Sequence, residues 1–237
     1  MKGETLRQLL ADKAAERPVV LATNLTTGAE RLFYPLDPAG SADPLVAQGR
    51  EALMLDQSTT VATAEGPIFL HAFNTPLRMI LIGAVHISQP LARMAAMAGY
   101  DVVVVDPRRA FAHAVRFPGL KIVTDWPDDA MRALRPDHRT AIVALTHDPK
   151  LDDPALQVAL RSPAFYIGAL GSKKTAAKRV ERLTAAGLTL AEIGRIRGPV
   201  GLDINARSPA EIAISVLAEV TQVLRAEVVQ AQQKVPA

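Results

Sequence analysis

The sequence predicts an α/β fold, in which a small α+β unit is followed by a parallel sheet with helices on both of its faces. Two observations predict the sheet. Short apolar segments alternate with segments of helical spacing from residue 79 onward, and Val102–Val105 is a run typical of a strand buried on both faces. Before Pro76 the chain shows strand-like pairs joined by short turns instead. We therefore predict two domains, residues 1–75 and a Rossmann-like domain over residues 76–237.

In the first domain, leucines at helical spacing predict a helix that ends before Pro18. Thr27-Gly28 and Glu65-Gly66-Pro67 are typical of hairpin turns, and a second helical segment lies between the two hairpins. The predicted elements are helices at 4–15 and 45–55 and strands at 19–26, 30–36, 59–63 and 68–73.

In the second domain, apolar strands and helical segments alternate, so the strands are expected to run parallel with right-handed crossovers. Ligands of such open sheets bind beyond the carboxyl ends of the strands, and the loops at that edge are therefore the candidate sites. The predicted elements are strands at 79–82, 101–105, 121–123, 140–145 and 165–167 and helices at 89–98, 128–134, 154–160, 172–186 and 209–227.

The composition excludes several kinds of protein. The 237 residues include no cysteine, which excludes disulfides, thiolate metal ligands and a cysteine nucleophile. The net charge is only +3 and aromatic residues make up 4%, so a basic, aromatic surface for nucleic acid is not expected. No signal sequence is evident, and no apolar run approaches the roughly 18 residues of a membrane span. We expect a cytoplasmic protein with neither a membrane span nor a nucleic-acid partner.

The first candidate loop begins at Gly83, between a strand and a helix, where a dinucleotide-binding fingerprint places its glycines. Asp106 closes the next strand and is placed to accept a hydrogen bond from a ribose or other polyol hydroxyl. His86 lies on the same turn and is predicted to face the ligand. Ser88 is interpreted as a cap of the following helix.

Two further loops carry polar residues in the expected positions. Arg108 and Arg109 could clamp a phosphate with their planar guanidinium groups, or could simply begin a solvated helix. Thr146, His147 and Asp148 form a compact polar cluster after a buried strand, although Asp148 before a proline is also a good turn former. His147 and Asp148 are adjacent and have no third ligand close in sequence, so no metal site is expected.

The strongest candidate is the segment Gly168–Thr175, which opens a helix. Backbone N–H groups and the positive end of the helix dipole favour an anion at such a position. The positive charges of Lys173 and Lys174 are unfavourable at this end of the helix dipole, and a bound anion would compensate for them. We therefore predict phosphate binding here, and the alternative is a basic helix that is simply solvated. The candidate ligands of this segment are Gly168, Gly171, Ser172, Lys173 and Lys174.

The last candidate segment precedes the closing helix. Ser208, Pro209 and Glu211 predict a capping box that begins this helix, which explains them structurally. Asp203 and Arg207 have no such explanation and are predicted to line the cleft.

Three separate motifs, in order and spacing, resemble the XdhC/CoxI family. The resemblance covers about residues 77–225, and it marks residues 1–75 as the family's N-terminal domain type. Val85 departs from the family's usual Gly-Ala-Gly-His turn, and residues 24–40 lack the family's Gly/Arg/Pro-rich segment and its cysteine. The motifs are Thr146-His147-Asp148, Tyr166-Ile167-Gly168-Ala169-Leu170-Gly171-Ser172-Lys173-Lys174, and Gly201-Leu202-Asp203-Ile204 with Ser208-Pro209-Ala210-Glu211-Ile212-Ala213.

The resemblance implies a non-catalytic accessory protein that matures a molybdenum hydroxylase such as xanthine dehydrogenase or CO dehydrogenase. Such a chaperone would bind the molybdenum cofactor, as molybdopterin or its dinucleotide form, protect it, and insert it into the apoenzyme. The implied partners are the apo molybdenum hydroxylase and a cysteine desulfurase, since this chain has no cysteine to carry sulfur. A homodimer is also expected, because the N-terminal unit looks small for independent stability.

Two other functions use the same fold. The first is an NAD(P)-dependent oxidoreductase, against which Val85 counts, because its side chain obstructs the approach of a pyrophosphate. The second is a phosphoryl-transfer enzyme, which needs carboxylates for Mg²⁺ near the phosphates, and only Asp106, Asp148 and Asp203 are available.

Overall fold

The computed structural model describes residues 2–37 and 43–232. Contacts divide the chain into two compact units, one formed by the chain up to Thr75 with the residues from Ala226 on, the other by Pro76–Arg225. No helix in the described residues combines the length and the apolar character needed to cross a bilayer.

The first unit is built on a four-stranded antiparallel sheet. Its strand order is β2-β1-β4-β3, so that β1 pairs with both β2 and β4. Val20, Phe33 and Leu70 lie in a small core with Leu45 and Leu53. The elements are α1 (Gly3–Ala14), β1 (Val19–Asn24), β2 (Glu30–Phe33), α2 (Val46–Leu55), β3 (Thr59–Thr63) and β4 (Gly66–Phe73).

The second unit is built on a six-stranded sheet in which every pair of neighbours is parallel. Four of its six strands are buried over all or all but one of their residues, as expected for a sheet covered on both faces. The elements are β5 (Arg78–Ile82), α3 (Ser88–Met97), β6 (Asp101–Val105), β7 (Lys121–Val123), α4 (Pro127–Leu134), β8 (Thr140–Ala144), α5 (Pro149–Leu160), β9 (Tyr166–Ala169), α6 (Lys173–Ala185), α7 (Leu190–Ile193), β10 (Ile196–Arg197) and α8 (Pro209–Gln232). The residues of α8 from Ala226 on belong to the first unit.

The strand order of the second sheet is β10-β9-β8-β5-β6-β7. Read from β7 and numbered from the first strand of the unit, this is the order 3-2-1-4-5-6 of a dinucleotide-binding Rossmann domain, with the order reversing between β5 and β8. Alternate residues of β5 enter two apolar layers. Met79 and Leu81 pack with α3 and α8, whereas Ile80 and Ile82 pack with α4, α5 and α6. The predicted fold class is confirmed.

Several element boundaries differ from the prediction. Helix α5 begins at Pro149 rather than at Pro154, because Asp148 caps it and Pro149 fits the first helical position. The two-residue strand β10 and the four-residue helix α7 were not predicted, and neither is long enough to show a hydrophobic period. The predicted cap at Ser88 is wrong: Ile87 is the cap residue, and the Ser88 hydroxyl donates to the carbonyl of Gly83 at 2.5 Å.

Candidate functional site

The candidate site lies at the carboxyl edge of the parallel sheet, where β5, β6, β8 and β9 end. Strands β5 and β8 are neighbours there, although β6 and β7 lie between them in the chain order. Open α/β sheets bind ligands at such a reversal of strand order because the loops diverge and leave a crevice. The predicted site residues of four loops follow these four strands in sequence.

The loop after β5 is held closely to its neighbours. Gly83 has a φ of 104°, a backbone conformation that residues with a side chain rarely adopt. Its N–H donates to the carbonyl of Val105 at 2.7 Å. The backbone carbonyl of Ala84 accepts a hydrogen bond from Arg116 at 2.7 Å. His86 is exposed on this loop.

Asp106, at the end of β6, is completely buried, and its carboxylate is occupied by groups of this chain. Oδ2 accepts from the N–H of Ala84 at 2.7 Å and from Nη2 of Arg108 at 2.8 Å. Oδ1 accepts from both the backbone N–H and Nε of Arg108, each at 2.9 Å. A carboxylate offers about four lone-pair positions, and four donors therefore satisfy it.

The charge on Asp106 is stabilised by this arrangement. Burial alone would raise the pKa of Asp106, but the hydrogen bonds from Arg108 and Ala84 outweigh it and hold the pKa below its usual range. The same contact raises the pKa of Arg108, and the more distant carboxylates of Asp148 and Asp152 contribute to that rise. Arg109 is exposed beside this pair.

The loop after β8 is organised by a buried carboxylate that the sequence analysis did not single out. Oδ1 of Asp152 accepts from the Thr146 hydroxyl at 2.7 Å and from the Thr146 N–H at 3.3 Å. The Thr146 hydroxyl oxygen accepts from the N–H of Asp148 at 3.0 Å, and Asp148 in turn caps α5 by accepting from the N–H of Lys150 at 2.9 Å. His147 lies between them with a φ of 62° and is exposed.

The loop after β9 begins two residues later than predicted, because Gly168 and Ala169 lie within the strand. A Cβ atom on Gly168 would lie 2.5 Å from Val200 and 2.8 Å from the Tyr166 ring, so close packing explains the glycine. Gly171 has a φ of 141°. Ser172 caps α6 by accepting from the N–H of Thr175 at 3.2 Å.

A cavity of about 240 Å³ lies between α5 and α6. It brings together two predicted residues from different motifs, His147 of the loop after β8 and Lys174 of the first turn of α6. Neither Lys173 nor Asp203 nor Arg207 is among its lining residues. The lining residues are His147, Pro149, Asp152, Lys174, Thr175, Lys178, Arg179 and Arg182.

Positive charge dominates this cavity. Lys174, Lys178 and Arg182 follow one another at intervals of four residues, so they lie along one face of α6. Arg182 is paired with Asp153, with Nε–Oδ2 at 2.5 Å and Nη2–Oδ1 at 3.0 Å. The cavity therefore presents an excess of cations to a ligand, which favours an anion.

Two charged side chains at the inner wall of this cavity were missed by the sequence analysis. Asp152 and Arg179 are only 2% and 3% exposed. Within the described residues, Oδ2 of Asp152 and Nε of Arg179 have no hydrogen-bond partner, although Nη2 of Arg179 donates to the carbonyl of Leu170 at 2.8 Å. Burial raises the pKa of Asp152 and lowers that of Arg179, while their mutual attraction opposes both changes.

The sequence did contain a signal for these two residues. Arg179 is four residues before the buried Leu183, and Asp152 is four residues before the buried Leu156. Each charge therefore falls on the apolar face of its helix, and a charge on such a face is rarely buried unless it has a partner or a ligand.

The segment between β10 and α8 carries the last candidates. Asp203 and Arg207 are both exposed. The predicted capping box is confirmed, because Ser208 Oγ accepts from the N–H of Glu211 at 3.2 Å and Glu211 Oε2 accepts from the N–H of Ser208 at 2.8 Å. The same carboxylate accepts from the N–H of Arg207 at 2.8 Å, which fixes the backbone of this residue.

Comparisons of this chain with known proteins agree on one family. The molybdenum cofactor insertion chaperone PaoD of Escherichia coli (strain K12) is 35% identical over 151 residues, which are 64% of this chain and 41% of PaoD. A probable xanthine dehydrogenase subunit of Bacillus subtilis (strain 168) is 32% identical over 180 residues, 73% of this chain and 52% of that protein. The chain thus spans about half or less of the length of these relatives.

A solved structure is similar over nearly the whole chain. The crystal structure of a xanthine dehydrogenase from Bacillus halodurans has a TM-score of 0.69 and 26% sequence identity, and the match covers 96% of this chain and 69% of that one. The family model of the XdhC Rossmann domain matches residues 79–220, which is more than half of the chain and contains all four loops of the candidate site. This protein therefore belongs to the XdhC family.

Proposed function

We propose that this chain is an accessory protein that binds the molybdenum cofactor and assists the maturation of a molybdenum hydroxylase. The observation that carries the proposal is the cation-rich cavity at the carboxyl edge of the Rossmann sheet, which is lined by one residue from each of two family motifs, His147 and Lys174. The relative PaoD is named for molybdenum cofactor insertion, and the Bacillus subtilis relative for xanthine dehydrogenase.

The chemistry of the cavity fits the phosphate of molybdopterin. Lys174 and Lys178 are exposed donors that line the cavity, and ammonium groups of this kind are usual ligands of phosphates. His147, which lines the cavity, and the exposed His86 and Arg109 on the loops after β5 and β6 would contact the rest of the cofactor. When bound, the cofactor itself supplies the molybdenum and the dithiolene sulfur atoms, and the protein binds and shields it.

The partners in this proposal follow from the same chemistry. The client is an apo molybdenum hydroxylase in the cytoplasm, to which the cofactor passes after it has been protected. Any sulfur added to the molybdenum comes from a separate cysteine desulfurase, because this chain contains no cysteine. We also propose that the protein acts as a homodimer and that the cofactor is bound as molybdopterin or as its dinucleotide form.

The oxidoreductase alternative would require Asp106 to accept hydrogen bonds from the ribose of NAD(P). The four donors that already satisfy Asp106 count against this alternative, since a ribose would have to displace Arg108. The phosphoryl-transfer alternative needs free carboxylates for Mg²⁺. Of the carboxylates that the sequence offers for it, Asp106 is occupied by Arg108 and Asp148 caps α5. We therefore favour the carrier function.

The decisive experiment is anaerobic purification from a host that synthesises molybdenum cofactor, followed by metal analysis and pterin fluorescence. We expect molybdenum and pterin close to one per chain, and a Lys174→Ala, Lys178→Ala double variant that retains less of both while keeping the wild-type circular dichroism spectrum. Protein that carries no pterin but binds NADH saturably and turns over a substrate would refute the proposal.

A further inference from the structure

One edge of the N-terminal sheet lacks the features that usually protect an exposed strand. The edge strands of this sheet are β2 and β3. Strand β2 has four residues, of which Glu30 and Arg31 are charged, whereas the five residues of β3, Thr-Thr-Val-Ala-Thr, include neither a charge nor a proline. Edge strands of natural proteins are usually short, charged or interrupted, because their unpaired backbone groups attract another strand. We therefore expect β3 to have a partner strand.

The free edge of β3, the edge that faces away from β4, is accessible. Thr59, Thr60 and Ala62 are exposed, and Val61 is half-buried. Within residues 2–37 and 43–232, β3 pairs with β4 alone. The strand is thus available to another chain.

A hydrogen bond of β4 shows which backbone groups of β3 point to its free edge. The carbonyl of Pro67 accepts from the N–H of Leu25 at 2.9 Å, so it points to the β1 side of β4 and away from β3. Ala62, which lies opposite Pro67, is therefore in a non-hydrogen-bonded pair with it. Because the orientation alternates along a strand, Thr60 has the same orientation as Ala62. The N–H and C=O groups of both residues thus point to the free edge.

These outward groups are complementary to those of an identical strand. A two-fold axis at Val61 places Thr60 of each copy opposite Ala62 of the other, so that four hydrogen bonds satisfy every outward N–H and C=O of the two strands. The same axis places Thr59 opposite Thr63, and threonine pairs of this kind stabilise neighbouring strands. Because β3 has no charged residue, no like charges face each other across it.

The side chain at the axis also favours a second copy. Val61 packs against the small core formed by Val20, Phe33 and Leu70, and it is half-buried. In a non-hydrogen-bonded pair about 4.5 Å apart at Cα, the two Val61 side chains would contact each other. The apolar core of one copy would then continue into that of the other.

We infer that two copies of this chain associate through their β3 strands, which pair antiparallel about Val61 and join the two N-terminal sheets into one. The inference names the interface of the homodimer proposed above, and it rests on that part of the proposed function but not on the cofactor. An interface of this size is small compared with those of obligate dimers, so the dimer dissociates on dilution.

The first test is sedimentation velocity of the full chain over a range of concentrations, with wild type and Ala62→Pro. Proline at position 62 removes an N–H that points away from β4, so each chain keeps the hydrogen bonds of its own sheet. Two of the four bonds between the copies are lost, and the dissociation constant should rise about tenfold or more. A wild type that stays monomeric at every concentration, or a dimer that Ala62→Pro leaves unchanged, would overturn the inference.

Thr60→Lys tests the same edge without a change in the backbone. The two added ammonium groups would lie close to the axis and repel each other, and lysine is a common means of blocking exposed edges. Thr27→Lys adds the same charge at the exposed turn between β1 and β2, and it should leave the dimer unchanged. Equal weakening by the two substitutions would contradict pairing through β3.

The register can be tested because the sequence contains no cysteine. In Val61→Cys the introduced thiol has no partner in its own chain, and any disulfide must join two copies. The expected Cα separation of about 4.5 Å lies within the range of about 4.4–6.8 Å found in disulfides. Diamide should therefore convert Val61→Cys into a covalent dimer, whereas Thr27→Cys should remain largely monomeric. Cross-linking of Val61→Cys no faster than that of Thr27→Cys would refute the register.

These outcomes are separable from the binding of the cofactor. If pterin is retained by a protein that is monomeric, or dimeric through another surface, this inference fails and the carrier function stands. If the copies pair through β3 but no pterin is ever retained, the carrier function fails and the interface stands.

Discussion

Gly83 and Thr146 lie in contact where the loops after β5 and β8 meet. A Cβ atom on Gly83 would overlap Cγ2 of Thr146, and the φ of 104° at Gly83 is itself unfavourable for any other residue. Thr146 cannot easily move, because its hydroxyl is bonded to Asp152. The two adjacent loops of the candidate site are therefore packed so closely at this point that Thr146 leaves no room for a side chain at position 83.

We predict that Gly83→Ala lowers the free energy of unfolding by more than about 2 kcal/mol, the sum of backbone strain and overpacking. Gly119→Ala is the control for strain alone, since Gly119 also has a positive φ, of 74°, but a Cβ there meets no atom within 4 Å. It should cost about 1–2 kcal/mol. Urea unfolding followed by circular dichroism measures both.

The overlap with Thr146 can be relieved separately. Thr146→Ser removes Cγ2 and keeps the hydroxyl that bonds Asp152, so the double variant with Gly83→Ala should lose less stability than the sum of the single losses. A strictly additive result would mean that the methyl group is not what restricts position 83.

The pairing of Arg108 with Asp106 gives a second prediction. Replacing Arg108 by Met leaves the completely buried carboxylate of Asp106 with only its backbone donors. We expect a loss of about 1–3 kcal/mol of unfolding free energy. This is less than the loss for breaking a fully buried ion pair, because the Arg108 side chain is 38% exposed. Arg109→Met removes the same charge from an exposed neighbour and should change stability by less than about 0.5 kcal/mol. Equal effects of the two substitutions in chemical denaturation would contradict the pairing.

The same pair predicts a dependence on pH. The pKa of Asp106 is lower in the folded protein than the value of about 3.9 expected when unfolded, so its ionisation stabilises the fold above that value. This contribution is lost as the pH falls through the folded pKa. The stability difference between wild type and Arg108→Met should therefore be constant near neutral pH and shrink below about pH 4. A difference that grows toward acid would reverse the sign and refute the assignment.

The fold was largely predictable because its signals are local and repeated. Buried parallel strands such as Val102–Val105 are continuous apolar runs, and the strands of this sheet other than β6 are each followed by a helix. The predicted start of α5 is too late because Pro154 resembles a helix start, whereas it lies inside the helix. β10 exists only by pairing with β9, and such short elements are set by tertiary contacts rather than by sequence period.

The candidate site was less predictable, because sequence proximity to a strand end does not show what a side chain contacts. Asp106 and Asp148 were identified from their positions, but one is occupied by Arg108 and the other caps α5. Asp152 and Arg179, by contrast, lie within helices, and they line the same cavity only because α5 and α6 are neighbours in space. The ligand-binding roles predicted for the candidate residues remain predictions that the binding experiments will test.

A final prediction concerns Tyr166 and Glu219, whose contact connects β9 with Gly201. Gly201 begins the segment of residues 201–208 before α8, which we call the Gly201 segment. The hydroxyl of Tyr166 donates to Glu219 Oε2 at 2.5 Å, and the same oxygen accepts from the N–H of Gly201 at 2.9 Å. Burial and this contact raise the pKa of Tyr166, so the phenol remains a donor throughout the neutral range. Tyr166→Phe should therefore cost about 1–3 kcal/mol of unfolding free energy, because the buried carboxylate loses a donor.

The chain offers a matched control for this loss in Tyr100, which is 7% exposed and whose hydroxyl has no hydrogen-bond partner within the described residues. Tyr100→Phe removes an unpaired buried hydroxyl, so it should leave the unfolding free energy unchanged or raise it slightly. Both substitutions remove one buried phenolic oxygen. The difference between their unfolding free energies therefore reports the hydrogen bond that only Tyr166 makes. If Tyr166→Phe is as neutral as Tyr100→Phe in urea unfolding, then Glu219 and Gly201 hold together without the tyrosine, and the hydroxyl is not what positions the Gly201 segment.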